Sequence, residues 1–405
     1  MQSISDIRSI CREECVYQAI EKLKRYGLSA EQVSDILLNN VVVSNLKPCT
    51  KVVPLVTPNG ETSEMMVHIP QTSDNNNLGV LIFLHGAGSS SDRIKDLACT
   101  LGEISSCVVL CPNAVISYKN ESNFDLAGIF GRRVKHPRWH YTVNDFPLLA
   151  LRWALQNLNI NPDRCIISGH SMGGIAAWSI AARFWHLFAA VAPINGVLSM
   201  WEMFGPDIEA DKLRSNLLTL PILSVHGAND SKIPHSLELF SLQRLAQGGN
   251  AFANQILVMG GEHSLNTMRM QKGTSHFDKL GSWMAKQYRK NWPSKIFHHA
   301  LDLSHSRAHW VEIIKFLDPN KTAVIHAEIL DKASIVISTA GVQEIKLYLH
   351  RKLVSPGDLS IKINGIDYFH KFSPRLEDIV TTYRESLDSS LFADETISLV
   401  LDIGR

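Results

Sequence analysis

The stretch Cys165-Ile166-Ile167-Ser168-Gly169-His170-Ser171-Met172-Gly173-Gly174 passes from a short apolar run into a glycine-rich turn, and residues 173–184 then have helical spacing. A short, wholly apolar run suits a strand buried on both faces. A serine on a tight strand-to-helix turn is forced out above the sheet edge. Glycines on both sides let neighbouring backbone pass close, and the helix N-terminus favours negative charge developing there. The spacing G-x-S-x-G alone arises by chance in about one chain in seven of this length, from three fixed residues at ~7% each. Its place between strand and helix is what makes Ser171 a candidate nucleophile.

The theme repeats on either side. Val80-Leu81-Ile82-Phe83-Leu84 ends at His85-Gly86-Ala87-Gly88, and Val108-Val109-Leu110-Cys111-Pro112, Ala189 to Pro193, Ile222 to Val225 and Gln255 to Val258 are further apolar runs. Helical segments over 92–102, 145–158, 173–184 and 236–247 separate most of them, with a last helix expected at Ser282 to Tyr288. Alternating strands and helices predict an α/β domain built on a doubly wound, mostly parallel sheet. Lys51 to Val56 and Met65 to Ile69 read as a leading hairpin.

The flanks differ. Residues 5–40 read as two helices: Ile7, Ile10, Cys15, Ala19, Ile20 and Leu23 recur at helical spacing, Gly27 is a stop, and Ser29 caps a second helix. Past Pro293, Val311 to Phe316, Thr322 to Ile329, Ser334 to Ser338, Glu344 to His350 and Leu359 to Ile363 have period-2 character and are separated by turns, and a polar helix and a last strand, Ile397 to Ile403, follow. This predicts a small all-β, sandwich-like domain. The expected division is an N-terminal helical segment (1–45), a catalytic domain (46–292) and a β-rich domain (293–405).

A serine hydroxyl needs a general base, and the base needs an orienting carboxylate. On this sheet the order is Ser, acid, His. The apolar strand at 222–225 runs on into His226-Gly227-Ala228-Asn229-Asp230, and the next strand ends in Gly260-Gly261-Glu262-His263. Asp230 and His263 therefore lie in loops on the sheet edge that carries Ser171. Glu262 adjoins the base and is badly placed to reach its Nδ1. An oxyanion hole needs two backbone N–H groups; Met172 follows the nucleophile, and Ala87 sits in the small-residue loop after Leu84.

Composition excludes several classes. Forty basic against 39 acidic residues give a net charge of +1, which provides no general attraction to nucleic acid or an anionic membrane. Arg132-Arg133-Val134-Lys135-His136 is the one dense basic run and reads as a solvated loop. Seven cysteines without regular spacing argue against a disulfide framework. The first twenty residues are charged, without an apolar core of signal-peptide length, and nowhere do 18 apolar residues run together. A cytoplasmic protein without a membrane span is expected. His298-His299 and the pair His305 and His309 lack a carboxylate that would complete a metal set, and no P-loop or dinucleotide fingerprint occurs, so neither metal nor cofactor is expected.

With Val80 to Gly88, Gly169 to Gly174, His226 to Asp230, Gly261 to His263 and Phe188 to Gly196 assembled, the chain resembles bacterial α/β-hydrolases of the phospholipase/carboxylesterase-like and polyhydroxybutyrate-depolymerase-like (feruloyl-esterase-like) kinds. The resemblance covers about residues 50–290. It implies a serine esterase that cleaves a small-molecule or acyl-ester substrate through a Ser-His-Asp triad and an acyl-enzyme. An acyltransferase or thioesterase with the same triad is the alternative; a peptidase or a binding protein stands further off. Specificity is expected in the loops 113–144, with Tyr118, Phe124, Phe130, Trp139 and Tyr141, and 197–217, with Met200, Trp201, Met203 and Phe204. Trp139, Trp201, Phe204 and His170 are the substrate-binding candidates. The N-terminal helices or the β-domain are the surfaces expected to meet a second copy or a partner protein.

Overall fold

The computed structural model describes residues 4–13, 15–38, 46–71, 77–114, 139, 141–142 and 144–401. Two compact units emerge: Val42–Arg289, and Met1–Val41 together with Lys290–Arg405.

The first unit holds strands β1 (Cys49–Val56), β2 (Thr62–Ile69), β3 (Gly79–Leu84), β4 (Cys107–Pro112), β5 (Cys165–His170), β6 (Ala190–Ile194), β7 (Ile222–Gly227) and β8 (Ala253–Val258) in one sheet of order β1-β2-β4-β3-β5-β6-β7-β8. The hairpin β1–β2 joins antiparallel to β4, and every later pairing is parallel. Helices among the described residues of this unit connect these strands. Counting the three N-terminal helices α1 (Ile4–Cys11), α2 (Val16–Arg25) and α3 (Ala30–Leu38), they are α4 (Ser91–Ser105), α5 (Phe146–Asn157), α6 (Met172–Arg183), α7 (Ile208–Ser215) and α8 (His235–Gln247); α9 (Ser275–Met284) closes the unit. This is the α/β-hydrolase fold.

β3, β4 and β7 are buried at every residue because helices cover both faces of the sheet. Leu81 and Phe83 of β3 meet Ile94, Ala98 and Leu101 of α4 and Phe277, Leu280 and Met284 of α9 in one core. Each such fully buried side chain contributes about 1.5–3 kcal/mol before entropy is counted. The order matters for the site. From β3 the chain crosses to β4 on one side, then returns past β3 to β5 on the other. The carboxyl ends of β3 and β5 thus lie side by side where the winding reverses, with Leu84 opposite Gly169.

In the other unit, β9 (Lys295–Ala300), β12 (Ala323–Asp331), β13 (Ser334–Ala340), β15 (Gly357–Ile363) and β16 (Ile366–Phe372) form one sheet, and β10 (Arg307–Ala308), β11 (Val311–Phe316), β14 (Val342–Leu349) and β17 (Glu395–Val400) another. Alternating burial, as at Ile325 and Ala327 or Ile335 and Ile337, gives each strand one inward face. Helix α10 (Leu376–Ser386) packs Ile379, Val380 and Tyr383 against Ile7, Cys11, Ala19, Leu23, Val33 and Leu37. The apolar faces of the N-terminal helices are therefore taken up inside the unit that contains the β-rich region, whereas the sequence suggested a separate segment.

Two local expectations change. The first N-terminal helix is two helices, because Cys15 is extended (φ −101°, ψ 109°) and starts α2 anew. Ser29 does cap α3, with Gln32 returning the bond: Gln32 N–H donates to Ser29 Oγ and Ser29 N–H to Gln32 Oε1. The last helix of the first unit lies at Ser275–Met284 and not at 282–288, since Phe277, Leu280 and Met284 are the residues spaced to face the core. His305 ends a 3-10 turn that leads into β10, so His305 and His309 do not share a helix face. Among the described residues no group of three or more His, Cys, Asp or Glu is placed to hold a metal ion. No helix among them is long and apolar enough to cross a membrane.

Candidate active site

Ser171 stands between β5 and α6 with φ 57° and ψ −120°, a left-handed conformation that a non-glycine residue adopts only where its surroundings enforce it. They do so here. Ser171 N–H donates to Ile194 O at the end of β6 (3.0 Å), and Gly173 lies so close to β3 that a Cβ there would sit 2.1 Å from Leu84 O. No side chain fits. Gly173→Ala should therefore lower stability by about 3 kcal/mol, a fall in Tm of roughly 6–12 °C. Calorimetry checks this, and an unchanged Tm would contradict so close an approach.

His263, in the loop after β8, presents Nε2 to Ser171 Oγ at 2.7 Å. Its Nδ1 is 2.8 Å from Asp230 Oδ2. Asp230 lies in the loop after β7, and its Oδ1 accepts the N–H groups of Lys232 and Ile233, both at 2.9 Å. Burial alone would raise the proton affinity of Asp230, but hydrogen bonds from His226 and His263 and the backbone N–H of Ile233 outweigh it and hold the carboxyl well below the usual range. The structure thus brings Ser171, His263 and Asp230 into one hydrogen-bonded line.

Two residues hold His263 from behind. His170 Nε2–H donates to His263 O (2.8 Å). Burial, then the nearby His263 ring, push His170 down to about 4, so it is neutral and keeps one N–H for that carbonyl. His170, a substrate-binding candidate in sequence, thus supports the backbone of His263. Asn195, at the end of β6 with φ 45°, was not singled out from sequence. Its Nδ2 donates to Glu262 O (3.0 Å) and its Oδ1 accepts Gly227 N–H (2.9 Å), tying β7 to the base loop. At Gly227 a Cβ would lie 2.4 Å from Gly261 O, so these two segments touch backbone to backbone. A polar residue closing the otherwise apolar Ala190–Ile194 strand was the available signal. The Glu262 side chain is exposed.

The loop after β3 is fixed through His85. Its Nδ1–H donates to Gly86 O (2.9 Å) and its Nε2 accepts Ala114 N–H (3.1 Å), while burial, only partly offset by the Gly86 bond, keeps the ring neutral. Trp139 Nε1–H donates to His85 O (3.1 Å), with the two rings 5.0 Å apart. Trp139 is only 5% exposed, which leaves little surface for a ligand; a buried indole needs an acceptor, and His85 supplies it. Ala87 follows in this loop, and Met172 opens α6, where the first N–H groups have no intrahelical acceptor.

Trp201 and Phe204 are 56% and 74% exposed, with ring centroids 6.3 Å apart. Their segment is anchored twice: Met200 and Val197 pack on Ile233 beside the Asp230 loop, and Glu202 pairs with the buried Arg214 of α7, which also bonds Asp211. Tyr118, Phe124, Phe130 and the run Arg132 to His136 lie outside the described residues.

A family model described as "Putative esterase" matches residues 58–286, a span that contains Ser171, Asp230 and His263. The chain belongs to the esterase family. By that membership it is an esterase. Among solved structures, this esterase is similar to an S-formylglutathione hydrolase from Agrobacterium tumefaciens (16% identity, 62% of this chain and 99% of that one, TM-score 0.46). It is also similar to a thermostable esterase (23%, 58% and 59%, TM-score 0.38) and to a thermostable carboxylesterase cloned from a metagenomic library (16%, 64% and 98%, TM-score 0.42). The alignment spans little over half the length of the first of these two. No curated protein matches the chain significantly.

Proposed function

We propose that the esterase acts through an acyl-enzyme on Ser171, with residues 46–292 as the catalytic domain. As Ser171 Oγ attacks the ester carbonyl, His263 Nε2 takes its proton, and Asp230 keeps the Nδ1–H tautomer and stabilises the imidazolium. The N–H groups of Met172 and Ala87 receive the oxyanion. His263 then gives its proton to the leaving alcohol and afterwards activates water against the acyl group.

One observation carries this reading: the unbroken line from Ser171 Oγ through His263 (2.7 Å) to Asp230 (2.8 Å), on a serine held at positive φ. Exposed Trp201 and Phe204, on their anchored segment, favour a small ester with an apolar group. No disulfide joins the cysteines among the described residues, which suits a reducing compartment, and the proposed setting is the cytoplasm. The test combines fluorophosphonate labelling with turnover of short p-nitrophenyl esters. Stoichiometric labelling that abolishes turnover is expected; turnover by a protein that takes no label would contradict the proposal. Turnover stimulated by an added alcohol, with ester formed in place of free acid, would favour acyl transfer.

A further inference from the structure

Behind Asp230 lies a second histidine that the triad does not use. His226, the fifth residue of β7, is wholly buried, as are the side chains of Asp230 and of Glu238 on α8. His226 Nδ1 is 3.0 Å from Glu238 Oε2. Its Nε2 is 2.8 Å from Ile233 O and 3.5 Å from Asp230 Oδ2, the oxygen that also meets His263. Gln255 Nε2 donates to the same Glu238 Oε2 (2.7 Å).

A neutral imidazole has one N–H and one lone pair. Both ring nitrogens of His226 face acceptors: a carbonyl that cannot donate, and a carboxylate oxygen already accepting from Gln255. With Glu238 ionised, both nitrogens donate, which makes the ring an imidazolium. Electrostatics agree. Burial by itself would lower the proton affinity of His226, but the bonds to Asp230 and Glu238 outweigh it and raise the ring to about 10. Buried charges persist only when paired, and here three are joined in a row, Asp230 minus, His226 plus and Glu238 minus.

We infer that His226 and Glu238 are positioning residues for ester cleavage, a buried imidazolium that fixes Asp230 and a counter-carboxylate that cancels its charge. This rests on the triad reading above. A cation beside Asp230 would, alone, neutralise the carboxylate on which His263 depends. With Glu238 present the three groups sum to one negative charge, which His263 cancels when it becomes protonated during the reaction. The other titratable groups near the line are His170, which bonds His263 O and is held neutral, the half-buried His235 at the start of α8, and the solvent-exposed side chains of Lys232 and Glu262.

Charge parity supplies the test. The acid limb of kcat/KM for a short p-nitrophenyl ester reports how readily the base is protonated in the free enzyme. His226→Gln leaves two negative charges and should move that limb up by about one pH unit. Glu238→Gln leaves none and should move it down by a similar amount. The double variant restores one negative charge and should bring the limb back to the wild-type position. Loss of mere packing would lower kcat at all pH values without moving limbs in opposite directions. Limb position does not depend on the active fraction, so partly unfolded variants remain informative. Single variants whose limbs stay put or move together, or a double variant that fails to restore the limb, would overturn the inference. A ring nitrogen-15 spectrum of the unmutated protein gives an independent answer: His226 doubly protonated well above the ordinary histidine range supports it, and a singly protonated ring overturns it. Ser171→Ala in the same panel separates the two readings. Hydrolysis that survives there defeats the triad itself, whereas hydrolysis lost there with unmoved limbs elsewhere defeats only the network.

Discussion

Ser171→Ala is expected to lower kcat/KM for a p-nitrophenyl ester by about 10⁴- to 10⁶-fold, some 5–8 kcal/mol of transition-state stabilisation. The loss is large because nothing nearby replaces Oγ. His170, the adjacent histidine, is committed to His263 O, and water entering the gap would have to be held by His263 alone. The variant should keep its fold. Alanine inherits the same left-handed backbone as serine, and the elbow is enforced by Ser171 N–H to Ile194 O and by the packing of Gly173 on Leu84 O, neither of which needs the hydroxyl. A Tm within a few degrees of wild type is therefore expected alongside the kinetic collapse. A loss below tenfold would mean that the ester is cleaved elsewhere.

Asp230→Asn is expected to cost about 10⁴ in kcat with little change in KM. The local geometry dictates how. Oδ1 accepts two backbone N–H groups, from Lys232 and Ile233, so the amide oxygen of the asparagine must occupy that place. Its NH₂ then takes the position of Oδ2 and points at His263 Nδ1. A donor there selects the Nε2–H tautomer, which directs a hydrogen at Ser171 Oγ instead of a lone pair. The same NH₂ faces His226, so two donors meet where an ion pair stood, and a fall in stability should accompany the fall in rate. Kinetics and calorimetry on one preparation check both, and activity within tenfold of wild type would contradict the assigned role.

Much of the catalytic unit was legible because its strands are buried on both faces and so appear as unbroken apolar runs. Some of these runs end where histidine or glycine begins, as in Leu84-His85-Gly86 or Val225-His226-Gly227, and that switch marks the sheet edge on which the proposed chemistry lies. The proposed triad, Ser171, Asp230 and His263, is named from it. Residues that act through tertiary contacts could not. Asn195 bonds Gly227 and Glu262, distant in sequence, and Glu238 is one polar residue on a helix whose burial depends on β7 and β8. In sequence His226 is only a near neighbour of Asp230, since only the folded chain places both carboxylates against its ring. Trp139 is a substrate-binding candidate in sequence because its loop is aromatic; the acceptor for its N–H is a backbone carbonyl, which leaves no trace in sequence. In the β-rich region β9 was missed, because Lys295-Ile296-Phe297-His298-His299-Ala300 invites a metal reading although its alternating burial is that of a strand. β16 was missed because its outward residues include Asp367 and Phe369 as well as Lys371, so polar and apolar positions do not alternate cleanly.

The most direct test of an acyl-enzyme on Ser171 is peptide mass spectrometry after acid quench in the first turnovers with a p-nitrophenyl ester. One acyl group per chain, on the peptide that contains Ser171 and absent from Ser171→Ala, is the predicted result. Product released at full rate with no acylated peptide, or with the acyl group on another residue, would contradict it.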